Sequence, residues 1–212
     1  MTANHQVNWD QGKAYNGIDV SHWNGTPPRT VPEWVKFFGM KAAHIGGSKM
    51  VNGIDPTFDA YRKLAKNAGV RYRAFYLYVV PGVPFKEQVF KLAEAVGDLA
   101  VGECVEIDWE AVGSQLDYEG MLYLDALYHG RIMMYVNDMN PEMTGWMERN
   151  RDWGDFGLPL HHPDWSPNGV FAAAKWQATV WQTGGADVPG WARPIDANLV
   201  MNTARMEKVC GY

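Results

Sequence analysis

The chain has 212 residues, 47% of them hydrophobic, which is enough to bury a sizeable core within one domain. Its formal net charge of -5 comes without a cluster of Lys and Arg, so the sequence lacks the basic footprint of a nucleic-acid-binding or membrane-surface protein. No apolar run is long enough to span a bilayer, and the first ten residues lack the pattern of a secretory signal. We therefore expect synthesis in the cytosol without a signal peptide, no membrane insertion and no nucleic-acid partner.

Strand and helix patterns alternate over roughly the first 150 residues. The clearest helix follows Asp55-Pro56, where a capping residue and a first-turn proline precede apolar residues at helical spacing, and Gly69 ends the pattern. Pro32 opens a shorter predicted helix that carries Phe37 and Phe38. The five predicted strands of this part are 17–21, 40–48, 71–80, 104–110 and 131–137. Three more helices are predicted: one that ends at residue 96, one at 118–129 and one at 141–149.

After residue 150 the helical pattern disappears, and three strand candidates remain at 158–165, 175–183 and 195–200, with a short closing helix after Asn202. Five strand-helix units followed by three strands give eight strands, the number that closes a barrel filled by side chains. The sequence therefore predicts an α/β fold, an irregular (β/α) barrel. We expect a single catalytic domain over residues 1–212, with 1–14 as an N-terminal extension.

The segment CVEIDWE, residues 104–110, carries three carboxylates at alternate positions, Glu106, Asp108 and Glu110. Alternate side chains of a strand project to one face, so the three acids crowd together. Neighbouring carboxyls in a partly dry site raise one another's pKa, and one then holds a proton while the other stays ionised. Cleavage of a glycosidic bond uses this division of labour. We assign the proton to Glu110 and the charge to Asp108.

Other acids and aromatic residues lie near the ends of predicted strands, where barrel enzymes place their chemistry. Asp19 and Asp196 join the predicted catalytic set, although a strand end or a turn also favours Asp. Five aromatic side chains are predicted to bind sugar at the mouth: Tyr76, Tyr78, Tyr135, Trp165 and Trp181.

Glu106 lies one pleat deeper than Asp108, so we expect it to form a buried ion pair with Arg71, Arg73 or Arg131. A wholly structural network of Asp108 and Glu110 with Lys or Arg is the alternative to catalysis. Adjacent histidines such as His161-His162 point to opposite faces of a strand, and Cys104 and Cys210 are too few for a disulfide framework. No metal or other cofactor is predicted, and both thiols are expected to be reduced.

Short motifs along nearly the whole chain resemble the lysozymes of glycoside hydrolase family 25, which phage endolysins commonly use. They are GIDVSHWNG, DPTF followed by AGV and AFYLY, IDWE, VWQTGG, VPGW and IDANLV. The resemblance implies an irregular barrel with five helices and eight strands. It also implies hydrolysis of the β-1,4 bond between N-acetylmuramic acid and N-acetylglucosamine in peptidoglycan.

By position, Glu110 matches the proposed proton donor of that family. Asp108, Asp19 and Asp196 match the acids that line its cleavage subsite, and Tyr76 and Tyr135 match tyrosines of the same subsite. The resemblance thus makes peptidoglycan glycan strands the expected partner. The protein would act on the bacterial cell wall after release during phage lysis, or from the virion.

Two other functions remain open from the sequence. GECVEIDWE is also similar to the Asp-x-Asp-x-Glu signature of glycoside hydrolase family 18, which includes chitinases. A carbohydrate-binding or virion protein without turnover would keep the same barrel. The sequence also leaves open whether Asp108 attacks the sugar directly, activates water, or orients a 2-acetamido group that attacks in its place.

Overall fold

The computed structural model describes residues 6–8, 13–43, 53–137, 141–152, 157–164 and 175–212. The strands are β1 (Gln6–Asn8), β2 (Lys13–Tyr15), β3 (Gly17–Val20), β4 (Phe37–Ala43), β5 (Tyr72–Tyr78), β6 (Glu103–Trp109), β7 (Ile132–Val136), β8 (Leu160–Pro163), β9 (Val180–Ala186) and β10 (Ile195–Val200). The helices of the described residues are α1 (Phe58–Asn67), α2 (Phe85–Val96), α3 (Tyr118–Tyr128), α4 (Pro141–Asp152) and α5 (Thr203–Val209), and His22–Asn24 form a 3-10 turn. None of these helices is both long and apolar enough to cross a bilayer.

Eight strands close into a barrel, as the sequence predicts. Strands β3 to β9 follow one another in order, and each is parallel to the next. Strand β10 closes the ring between β9 and β3 and is antiparallel to both. The fold is therefore an irregular α/β barrel with seven parallel strands and one antiparallel strand.

The interior of the barrel is apolar at one end and polar at the other. Phe37, Tyr72 and Cys104, near the starts of their strands, form a buried cluster with residues of α5, so the closing helix covers the N-terminal end. The opposite strand faces pack under the surrounding helices in a larger apolar cluster. Buried polar residues inside the barrel, such as Asp19 and Glu106, lie nearer the C-terminal strand ends.

The helix expected from Pro32 to Phe38 is wrong. Only a single turn forms there, in which the Val35 N–H donates to the Pro32 carbonyl, and β4 begins at Phe37. Phe37 belongs to the cluster inside the barrel, whereas Phe38 belongs to the cluster outside it. A strand buried on both faces lacks polar-apolar alternation, and its apolar run was therefore mistaken for one side of a helix.

Two further features differ from expectation. The strand expected at 175–183 runs instead from Val180 to Ala186. Near the N-terminus, β1 and β2 form a short antiparallel pair that the sequence did not predict. The predicted strand at 40–48 is described only up to Ala43. The other predicted helices, including the closing one, form within a few residues of their expected ends.

Candidate active site

The polar end of the barrel opens into a cavity of about 220 Å³. Seven of the predicted site residues line it: Asp19, Tyr76, Tyr78, Asp108, Glu110, Tyr135 and Asp196. Six lining residues were not assigned to the site from the sequence: Ser21, Trp23, Lys41, Glu106, His161 and Gln182. All eight barrel strands therefore contribute side chains to the cavity.

Strand direction explains how the four predicted acids meet. Asp19 lies on parallel β3, Asp108 lies near the end of β6, and Glu110 follows that strand by one residue. Asp196 is the second residue of β10 and pairs directly with Asp19. Because β10 is antiparallel, its beginning lies at the end of the barrel where the parallel strands finish. An acid from the start of one strand thus reaches the same mouth as acids from the ends of others.

Asp19 occupies space that a glycine provides. Gly39 is its register partner on β4, and a Cβ atom at that position would lie 1.8 Å from Asp19 Oδ1. The Gln182 amide donates to Asp19 Oδ2 at 3.3 Å. Burial raises the pKa of Asp19 to about 7; Glu106 and Asp196 add to this rise, and His161 opposes it.

Asp108 and Glu110 form the outer acid pair, and the pKa of each is raised. For Asp108, which is almost fully buried, burial and then the charges of Glu110 and Glu106 raise the pKa well above its ordinary value. For the half-buried Glu110, burial and the charge of Asp196 raise the pKa, and Lys41 opposes them. Burial is thus the largest cause of the raised pKa in both acids.

Lys41 is a buried cation among these acids. It lies on β4, lines the cavity, and places its Nζ 4.7 Å from the centre of the Tyr78 ring. Burial lowers the pKa of Lys41, while Asp108, Asp55 and Glu110 raise it. The sequence placed Lys41 in a strand but gave no sign that it would face carboxyls, because its partners come from other strands.

The partner of Glu106 is a histidine, so the arginine expected from sequence is wrong. Glu106 Oε1 lies 2.7 Å from His161 Nδ1. The candidate arginines all bind elsewhere. Arg73 and Arg131 contact Glu103 and backbone carbonyls near the start of β6, and Arg71 pairs with Glu207. Inward-facing positions alternate along β6, so Glu106 and Glu103 point to opposite faces and meet different partners.

His161 is completely buried in β8, and burial alone would lower its pKa. The charges of Glu106 and Asp19, together with hydrogen bonds to Glu106 and Asn198, raise the pKa to about 9 instead. The neighbouring His162 points the other way, as expected, and its Nδ1 donates to the Val136 carbonyl at 3.1 Å.

The predicted tyrosines supply hydroxyl groups to the cavity. Tyr76 donates to the Val20 carbonyl at 3.3 Å, and Tyr135 donates to Gln182 Oε1 at 3.1 Å. Burial, followed by the nearby carboxylates, raises the pKa of both phenols well above 10.0, so they remain protonated donors. Tyr78 also lines the cavity and is half-buried.

Of the two tryptophans predicted to bind sugar, Trp181 lies within the described residues and Trp165 does not. Trp181 is buried with Ala178 and Leu199 outside the cavity, because Gln182, the next residue of β9, takes the inward position. The assignment of Trp181 to the mouth is therefore wrong. A tryptophan that the sequence did not single out, Trp23, lines the mouth and is 57% exposed.

No family model and no curated protein matches the chain. Among solved structures, it resembles the catalytic domain of endolysin ply40 from bacteriophage P40 of Listeria monocytogenes. That match has a TM-score of 0.67 at 16% identity and covers 92% of this chain and 96% of the other. The CTP1L endolysin matches with a TM-score of 0.59 at 14% identity, covering 92% of this chain and 69% of the other. At such identities the likeness establishes architecture, and the chain has the barrel fold found in these two endolysins.

Proposed function

We propose that the protein is a peptidoglycan hydrolase, an N-acetylmuramidase that cleaves the β-1,4 bond between N-acetylmuramic acid and N-acetylglucosamine. The observation that carries the proposal is the convergence of Asp19, Asp108, Glu110 and Asp196 on one cavity. Burial raises the pKa of every one of these acids. Carboxyls held protonated and ionised side by side are the groups that glycosidic cleavage requires.

Glu110 is the proton donor of the proposed mechanism. It is the outer member of the acid pair, follows the end of β6, and is less buried than Asp108. Burial raises the pKa of Glu110 and so favours its protonated form, and from this outer position the proton can pass to the departing glycosidic oxygen. Lys41, beside both acids, limits how far their pKa values rise and so leaves that proton transferable.

The remaining acids face the sugar ring, on which positive charge develops as the bond breaks. Asp19 and Asp196 are register partners on adjacent strands, so their carboxyls enter the cavity from the same side. An ionised carboxylate there stabilises the oxocarbenium-like transition state. Asp108 either attacks the sugar carbon, activates a water, or orients a 2-acetamido group that attacks, and these three routes give different products or intermediates.

The fold supports a role in phage-induced lysis of bacteria. Two solved structures that share this barrel are endolysins, one of them from a Listeria phage. Exposed Trp23 and half-buried Tyr78 at the mouth offer ring faces on which sugars stack. The proposal places the protein at the cell wall, with peptidoglycan glycan strands as its substrate.

Identification of the reaction products tests this proposal. Purified protein is incubated separately with peptidoglycan and with chitin, the new reducing ends are reduced with borohydride, and the products are identified by mass spectrometry. We expect reduced N-acetylmuramic acid at the new ends from peptidoglycan. Reduced N-acetylglucosamine from chitin alone would instead support a chitinase-like enzyme. Binding to either polymer without new ends would indicate a carbohydrate-binding protein.

A further inference from the structure

A buried polar layer crosses the barrel directly beneath the cavity mouth. His161 on β8 lies between Glu106 on β6 and Asn198 on β10. Its Nδ1 is 2.7 Å from Glu106 Oε1, and its Nε2 is 2.8 Å from Asn198 Oδ1. The same Nε2 is 3.8 Å from Asp19 Oδ2. The layer therefore connects the deep carboxylate to one of the acids at the mouth.

Both nitrogens of His161 face acceptor oxygens. A neutral imidazole has one N–H, so it would leave one of these two contacts without a hydrogen, whereas an imidazolium donates to both. A fully buried imidazolium requires a paired anion, and Glu106, itself 1% exposed, supplies one. Asp19 is the second anion within reach of the ring.

We propose that Glu106 and His161 form a buried ion pair that positions Asp19 and favours its carboxylate form, which faces the substrate. This inference rests on the proposed glycosidase function, since it assigns the charge that Asp19 brings to the sugar. Glu106 neutralises and orients the imidazolium from below, and the imidazolium attracts Asp19 from the side. Neither Glu106 nor His161 needs to touch the substrate, so both are positioning residues.

Asp19 needs such a cation because most of the groups around it oppose its ionisation. The titratable groups that line this cavity around Asp19 are Lys41 on β4, Tyr76 and Tyr78 on β5, Glu106 and Asp108 on β6 with Glu110 after it, Tyr135 on β7, His161 on β8 and Asp196 on β10. Neighbouring β4 presents Gly39 to Asp19, and β9 presents the neutral Gln182. The attraction of His161 outweighs the repulsion of Glu106 in setting the pKa of Asp19. Loss of the histidine charge would therefore leave Asp19 protonated over a wider pH range.

The direct test follows the Asp19 carboxyl by ¹³C NMR during a pH titration of the folded protein. We expect His161→Gln to raise the pKa of Asp19 by at least about one unit. His162→Gln is the matched control, because it removes a buried histidine from the same strand whose ring contacts the Val136 carbonyl. The control should leave the Asp19 titration unchanged. An unchanged Asp19 titration in His161→Gln would overturn the proposal.

A variant in which both members of the ion pair are replaced by neutral side chains separates the effect of charge from the effect of packing. The double variant Glu106→Gln with His161→Gln replaces both charges by amides of similar size, so it retains a route to folding if His161→Gln alone does not. The double variant removes the attraction of His161, which is the larger effect, so the pKa of Asp19 should still rise. It also removes the repulsion of Glu106, so the rise should be smaller than in His161→Gln alone. Glu106→Gln alone should lower the pKa of the His161 ring, read from its imidazole resonances, below the wild-type value of about 9. A His161 ring that is neutral at pH 7 in the wild type would contradict the ion pair.

Turnover supplies the functional half of the test. The acidic limb of the pH profile of kcat/KM on peptidoglycan should move to higher pH in His161→Gln, in parallel with the Asp19 titration, and stay in place in His162→Gln. A limb that does not move while Asp19 titrates higher would refute the positioning role. If the wild type shows no turnover, the proposed function fails, and the NMR titrations still decide whether the ion pair controls Asp19.

Discussion

At the scale of single residues, the mouth of the barrel concentrates acids that each oppose the ionisation of the others. Asp19, Asp108 and Asp196 are buried or half-buried, and desolvation is the largest cause of the raised pKa in each. Two cations, Lys41 and His161, lie within the same cavity and offset part of this effect. A site built in this way gains reactive carboxyls at the expense of stability, as active sites commonly do.

The first prediction concerns Asp19 and the pH dependence of stability. Its folded pKa of about 7 lies above the ordinary 3.8, so the folded protein binds this proton more tightly than the unfolded chain. The resulting stabilisation is fully present below about pH 4 and is lost as the pH rises through 7. Asp19→Asn should therefore raise the free energy of unfolding at pH 8 by about 2 kcal/mol and change it little at pH 4.

Thermal unfolding followed by circular dichroism at about pH 4 and pH 8 measures this effect, and a rise of several degrees in Tm is expected only at the higher pH. Turnover should fall in the same variant. Destabilisation by Asp19→Asn at pH 8 would mean that the carboxylate stabilises the fold.

The second prediction concerns Trp23. The ring is largely exposed at the mouth and packs on His22, with ring centres 4.6 Å apart. Trp23→Ala should raise KM for peptidoglycan about tenfold, since stacking on a sugar contributes roughly 1 to 1.5 kcal/mol, and leave kcat and Tm nearly unchanged. Tyr118→Ala, which removes an exposed aromatic ring outside this cavity, is the control. Equal KM values for Trp23→Ala and the wild type would exclude Trp23 from substrate binding.

Strand position alone was enough to predict which acids line the cavity. Asp108 and Glu110 follow from alternation on one strand, and Asp19 and Asp196 follow from their positions near strand ends. The pairing of Glu106 with His161 could not be found in this way, because it joins residues 55 positions apart on strands that are not neighbours.

At the scale of elements, β4 shows how the fold makes room for the site. The strand carries Phe37, Gly39 and Lys41 at alternate positions. Phe37 belongs to the apolar cluster inside the barrel, Gly39 leaves space for the Asp19 side chain, and Lys41 is a cation at the mouth of the cavity. The first two residues of β4, Phe37 and Phe38, fall in the helix that the sequence predicted, whereas residues 40–43 fall in the predicted strand at 40–48. Its apolar residues serve two clusters on opposite faces, and a pattern read along one chain cannot show which neighbours cover each face.

The third prediction tests the close approach at Gly39. Gly39→Ala should displace Asp19 or separate β3 from β4, because the new methyl group would meet Asp19 Oδ1 at an impossible distance. We expect at least a tenfold loss of turnover and a destabilisation of about 1 to 3 kcal/mol in denaturant unfolding. Gly145→Ala is the matched control. It lies within α4, where the nearest atom to an added Cβ is Arg149 Nη1 at 3.6 Å, and should stabilise the protein slightly. Full activity of Gly39→Ala would show that the position of Asp19 does not matter.

At the scale of the whole molecule, the barrel separates stability from chemistry along its axis. The end covered by α5 is filled with apolar side chains, and the other end holds the polar cavity. The alternation of strands and helices made this architecture predictable, including the count of eight strands. The reversed direction of β10 was not predicted, since strand patterns carry no direction, yet that reversal is what brings Asp196 beside Asp19.

The most direct test compares the initial rate at which wild type and Glu110→Gln release reducing ends from purified peptidoglycan. The substitution keeps the shape of the side chain and removes its transferable proton. We predict a loss of at least about a hundredfold in turnover, with Tm equal to or above that of the wild type. A Glu110→Gln variant that stays folded and hydrolyses peptidoglycan at close to the wild-type rate would contradict the assignment of the proton donor.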